Sequence, residues 1–139
     1  MGNTYLHSLN DDHLAADAVR SLARLRERAF ELMTETLRSW PHPPAHAAVF
    51  GSAARREEAA DSDIDVPLVP TSDAEEWSRQ QAVSRFIDTI SKATGNDVRV
   101  LELTEGELRD PANEALRHEL QKDAIVLLGR RSRLEAMSA

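Results

Sequence analysis

The chain has 139 residues, of which 41% are hydrophobic and 29% charged, with 24 acidic against 17 basic side chains and a formal net charge of −7. That length predicts one domain able to bury a core without staples, and the absence of cysteine excludes a disulfide scaffold, a thiolate metal site and a thiol nucleophile. The acidic balance argues against an extended nucleic-acid surface, which needs a basic surplus to displace counterions.

The longest apolar run, residues 124–128, is far below the roughly 20 residues that cross a bilayer, and the first twelve residues are polar. The expectation is a cytoplasmic protein with no membrane segment. Leu14, Ala18, Leu22, Leu25, Ala29, Leu32, Met33 and Leu37 recur at steps of three and four, the stripe of an amphipathic helix. Asn10, Asp11 or Asp12 is expected to cap it, and it should stop at Trp40, ahead of Pro41. Residues 45–50 are too few for a helix and read as a buried strand closed by Gly51-Ser52. Residues 64–69 form a second apolar run, and Pro67 within it predicts a sheet edge or a bulge.

Ser72 with Glu75 has the pattern of a capping box, opening a helix that carries Trp77, Val83, Phe86, Ile87 and Ile90 and ends at Gly95. A third strand fits residues 97–103. Thr104 with Glu107 predicts a second capping box on a short helix, Asn113 a cap for a last helix, and residues 124–128 a fourth strand. Alternation of this kind indicates an α/β (α+β) fold, a small mixed sheet covered by helices. Trp40 and Trp77 are expected to pack. The histidines, His7, His13, His42, His46 and His118, show no metal-ligand spacing and read as surface or helix-end residues.

One constellation carries chemistry. Val49-Phe50-Gly51-Ser52 is followed after ten residues by Asp63-Ile64-Asp65-Val66. Carboxylates two apart on a strand share a face, with Ile64 turned to the core between them. Two like charges that close call for a cation, and Mg²⁺ suits Asp oxygens while bridging them to substrate phosphates. Gly51 and Ser52, at a strand end that opens a helix, can offer backbone amides to an anion, and Arg55 one turn on can reach the same phosphates. Together these residues describe a site for a nucleoside triphosphate.

Gly51-Ser52-Ala53-Ala54-Arg55 and Asp61-Ser62-Asp63-Ile64-Asp65 resemble the glycine-serine and D-x-D signature of the DNA polymerase β-like nucleotidyltransferases, and in particular their minimal (MNT) branch, short bacterial antitoxins that act beside HEPN-domain toxins. Residues 116–129 look like that branch's closing helix and strand. The resemblance implies a palm-like domain over residues 45–129; outside it, residues 1–44 read as a helical segment packed on the core, with a stripe that would equally serve a partner, and residues 130–139, charged and small, as a flexible tail. It implies Mg²⁺ held by Asp63 and Asp65, ATP or another nucleoside triphosphate held by Gly51, Ser52 and Arg55, and transfer of a nucleoside monophosphate, foremost AMP, to a hydroxyl of a partner such as a HEPN-type toxin. A homo-oligomer is compatible with it.

The pattern departs from the family in one respect that bears on activity. Active members carry a third carboxylate on a neighbouring strand, and here Arg99 stands at that position between Val98 and Val100. Asp97 can serve as the third catalytic carboxylate if the strand is shifted or bulged; Glu102 is a weaker substitute. Loss of that group implies the competing function, a binding module that neutralises a partner or senses nucleotide without transfer. A small-molecule transferase, such as an antibiotic-modifying enzyme, would need an acceptor pocket formed elsewhere.

Overall fold

The computed structural model describes residues 8–50, 63–71 and 74–129. Within them run α1 (Ala16–Arg38), β1 (His46–Val49), β2 (Ile64–Val69), α2 (Glu76–Thr94), β3 (Val98–Glu102), α3 (Glu105–Arg109), a 3-10 turn (Pro111–Asn113), α4 (Glu114–Lys122) and β4 (Ile125–Leu128). No helix among the described residues is long and apolar enough to cross a membrane.

Helix α1 starts at Ala16 with no side-chain cap, contrary to the expectation for residues 10–12. Asn10 Oδ1 accepts instead from the Asp12 amide at 3.2 Å and Asp11 pairs with Arg20 of α1, while His13 Nδ1 accepts from the Ala15 amide at 3.0 Å. The helix ends at Arg38 as the prolines require, and the Trp40 amide donates to the Leu37 carbonyl at 3.3 Å. Its apolar stripe divides in two. Met33 and Leu37 are buried in the core, whereas Leu22 is 66% and Leu25 54% exposed.

The sheet runs β3-β2-β1-β4. β1 is antiparallel to both neighbours, and β2 and β3 are parallel, joined through the α2 crossover. Pro67 therefore lies in a central strand, which corrects the expectation of an edge or bulge in β2. Its pairing to β3 passes unbroken from Ile64↔Val98 to Leu68↔Glu102. Because the Ile64 amide donates toward β3, alternation turns the nitrogen of Pro67 toward β1. The irregularity falls on that strand instead, as a register shift between Ala47 and Ala48 in the β1–β4 pairing.

Ile64, Val66 and Leu68 pack with Ala47, Val49 and Val98 against Met33, Leu37, Phe86 and Ile90 of α1 and α2. Trp40 meets Phe86 edge-on, with centroids 6.2 Å apart and planes at 84°. Phe86 is fully buried, and burial of a side chain of that size contributes about 1.5 to 3 kcal/mol. The opposite face holds a second cluster, Ala48, Val69, Leu103, Leu108, Leu120 and Ala124, beneath α3 and α4. Those two helices cover the Val69 end of β2, while Asp63 and Asp65 stand at its other end.

The helix ends follow local chemistry to different degrees. Thr104 and Glu107 form the expected capping box: Thr104 Oγ1 accepts from the Glu107 amide at 3.1 Å, and Glu107 Oε2 accepts from the Thr104 amide at 2.8 Å. Gly95 ends α2 with φ +76° and donates to the Ser91 carbonyl at 2.8 Å, a left-handed residue that glycine adopts without a Cβ penalty. The start of α2 differs from expectation, since Glu75 precedes the first helical residue without a side-chain cap; Ser72 lies outside the described residues. Asn113 does not cap α4 with its side chain but donates from Nδ2 to the Glu107 carbonyl at 2.8 Å, closing the turn after α3. Two further expectations are corrected. Trp77 is 69% exposed rather than packed, and His46 is buried within β1 rather than on the surface.

Candidate functional site

Three strands contribute to the leading end of β2. The Ile64 amide donates to the Asp97 carbonyl at 2.8 Å, and the Phe50 amide donates to the Asp65 carbonyl at 3.0 Å. Asp63 and Asp65 are thereby fixed by backbone on both sides. Ile64 between them is 4% exposed and sits in the core, so its anchoring turns both carboxylates to the opposite face. Both Asp63 and Asp65 are half-buried. The chain leaves β1 at Phe50, directly beside Asp65. Gly51, Ser52, Arg55 and Asp61, with the phosphate turn expected there, lie outside the described residues.

Register decides which residue of β3 meets the pair. Asp65 is level with Arg99, flanked by Ile64↔Val98 and Val66↔Val100 without a shift. Side chains level with each other on adjacent strands share a face, and Arg99 Nη2 donates to Asp63 Oδ2 at 2.7 Å. Asp97 is exposed, two residues ahead of Arg99 and just before the strand, where its carbonyl holds Ile64. Among the described residues no group of three or more His, Asp or Glu side chains is placed to hold a metal ion. Glu102, the weaker substitute, is engaged elsewhere: Arg79 Nε of α2 donates to its Oε2 at 2.8 Å.

Among the described residues, Asp63 and Asp65 are the carboxylates that could serve a hard divalent ion. Two carboxylates on one face are what Mg²⁺ takes from a protein when phosphate and water oxygens complete its shell. A second ion would need further oxygen ligands, and the side chain of β3 level with Asp65 is the guanidinium of Arg99. The direct contact between Arg99 and Asp63 is the feature that sequence reasoning missed. The alternation Ile64, Val66 against Val98, Val100 carried the signal, since parallel strands aligned on their buried residues bring Asp65 and Arg99 level.

The family described as Putative nucleotidyltransferase DUF294 matches residues 7–98. No curated protein matches the chain. Among solved structures, the fold is similar to a toxin–antitoxin complex with AMP-PNP, at 18% identity and a TM-score of 0.56, over 78% of this chain and 80% of that one. A tri-AMPylated Shewanella oneidensis HEPN toxin in complex with MNT antitoxin matches at 16% identity and a TM-score of 0.52, over 81% and 80%. An MntA toxin–antitoxin mutant matches at 16% identity and a TM-score of 0.54, over 78% and 80%.

Proposed function

This chain belongs to the Putative nucleotidyltransferase DUF294 family, and on that premise we propose that it binds a nucleoside triphosphate with Mg²⁺ at Asp63 and Asp65 and transfers a nucleoside monophosphate, AMP from ATP, to a hydroxyl of a partner protein. The observation that carries the reading is the pair of carboxylates at the head of β2, beside the end of β1, in a nucleotidyltransferase fold. The AMP-PNP complex and the AMPylated HEPN toxin among the fold's neighbours support the choice of adenine nucleotide and of a toxin-type partner.

In this reading Asp63 and Asp65 hold the ion, and Gly51, Ser52 and Arg55 receive the phosphates. When bound, the ion supplies charge neutralisation to the triphosphate and its leaving group. The acceptor oxygen forms a bond to the α-phosphorus, the bond to the β-phosphate oxygen breaks, and pyrophosphate departs. The hydroxyl proton passes to solvent water, since β3 pairs without the shift that would bring Asp97 to the place of Arg99. Catalysis is then mainly positioning.

The ion pair between Arg99 and Asp63 favours a second reading, a module that binds nucleotide without transferring it. Incubation with α-labelled ATP, Mg²⁺ and the protein encoded beside it, in parallel with Asp63→Ala, separates the two. Label on the partner that disappears in the variant supports transfer. Nucleotide binding without label on any partner supports the binding module.

A further inference from the structure

We propose that Arg99 takes the electrostatic place of a second ion, so that the site operates with one divalent ion between Asp63 and Asp65 and with the Arg99 guanidinium against the triphosphate. The inference rests on the nucleotide-binding reading above and concerns how many ions that site accepts. Three observations carry it. Arg99 is level with Asp65 in an unshifted parallel register. Its guanidinium reaches across to Asp63 on β2 at 2.7 Å, one pleat back from the level of Arg99, so it stands beside both carboxylates. Its side chain is 68% exposed, against 33% for Asp63, so the donors not spent on Asp63 remain open to a ligand from solvent.

Charge then sets the stoichiometry. Two aspartates and one arginine sum to −1, and a single dication brings the set to +1, which a triphosphate can satisfy. A second dication would sit against a fixed guanidinium, and no third carboxylate among the described residues is grouped with the pair to offset the repulsion. Arginine is also suited to the task by shape, because its planar fork donates two parallel hydrogen bonds to phosphate oxygens and keeps its proton at any physiological pH. The contact with Asp63 positions that fork before the nucleotide arrives. Lysine keeps the charge but loses the fork, and aspartate restores a carboxylate at this level of β3.

The test counts Mn²⁺ by electron paramagnetic resonance in the presence of saturating AMP-PNP, and measures AMP-PNP affinity by calorimetry, for the wild type and for Arg99→Asp, Arg99→Lys and Arg99→Ala. Circular dichroism checks that each variant is folded, as substitution of an exposed residue should allow. The expected result is one Mn²⁺ per chain in the wild type and in Arg99→Lys, two in Arg99→Asp, and AMP-PNP binding about tenfold weaker in Arg99→Ala, the scale of one charge-assisted contact. Two ions in the wild type, a count that Arg99→Asp leaves unchanged, or full affinity in Arg99→Ala overturns the inference while the nucleotide-binding reading stands. A wild type that takes up neither Mn²⁺ nor AMP-PNP overturns both.

Discussion

Arg99 on β3 donates to Asp63 at the head of β2 across 2.7 Å, and Asp65, level with Arg99, stands one pleat further along the same face. A cation and two carboxylates are thus built into the end of the sheet nearest the exit of β1. Both members of the ion pair are partly exposed, and pairs of that kind contribute at most about 1 kcal/mol to stability. The contact is better understood as orienting Arg99 than as holding the fold.

Neutralising either carboxylate should therefore separate binding from stability. Asp63→Asn and Asp65→Asn are each expected to weaken Mn²⁺-dependent AMP-PNP binding by more than about tenfold, since each removes an anionic oxygen ligand. Thermal unfolding should remain within a few degrees of the wild type. Calorimetry with and without Mn²⁺ reads the first effect and differential scanning the second. Undiminished binding in Asp65→Asn would exclude it as a ligand.

The two halves of α1 should respond unequally to the same substitution. Leu37→Ala empties a fully buried position against the sheet, and losses at such sites run at about 2 to 5 kcal/mol. Leu22→Ala removes a side chain that is 66% exposed and should stay within about 0.5 kcal/mol. Urea unfolding of the two variants measures both. Equal losses would mean that the outer stripe is buried in solution.

Gly129 follows β4 with φ +86°, and a Cβ there would come within 2.6 Å of His46 Nδ1 and 3.0 Å of the Ala45 carbonyl oxygen. Gly129→Ala combines a left-handed alanine, costing about 1 to 2 kcal/mol, with displacement of a buried ring. We expect a loss of about 2 to 4 kcal/mol. Gly95→Ala carries the same backbone penalty, with open space around its Cβ, and should lose only the smaller amount. Denaturant titration of both variants distinguishes strain from collision.

Hydrogen bonds from the Thr104 amide, and then from its hydroxyl, hold the Glu107 carboxyl below its usual range, against a small opposing effect of burial. A carboxyl depressed in the folded state contributes stability above its unfolded pKa. That contribution is lost as pH falls through the folded value. Carboxyl titration by NMR should therefore place Glu107 below the usual glutamate range, and Thr104→Val, which removes the hydroxyl but keeps the amide, should raise it only part of the way back. An unchanged Glu107 in that variant would show that the Thr104 hydroxyl does not contribute and that the amide alone holds the carboxyl down.

Much of this architecture was legible before any coordinates. Periodicity over residues 14–37 specified α1 because a helix must present one face to the core. Thr104 and Glu107 specified a cap because both partners lie within four residues. Gly95 specified a stop because only the left-handed region closes that turn cheaply. The Asp63-Ile64-Asp65 alternation indicated a paired carboxylate face for the same local reason. The start of α1 was misplaced because several neighbouring polar residues can each accept from a nearby amide, and Asn10 and His13 close separate turns ahead of the helix.

Strand order was beyond local rules. Pro67 suggested an edge, yet β2 is central, because the mixed sheet turns the proline nitrogen toward β1 and the irregularity passes to Ala47 and Ala48. Nor could composition tell that Trp77 faces solvent while His46 is buried. The consequential case is Arg99. Residue identity and alternation put a cation on β3 between the buried Val98 and the half-buried Val100, and only the resemblance made that position one where a carboxylate was expected. Its hydrogen bond to Asp63 depends on the register of two strands separated by a nineteen-residue helix. That register is set by the mutual burial of Ile64, Val66 and Val98, a long-range packing condition that no window of the chain contains.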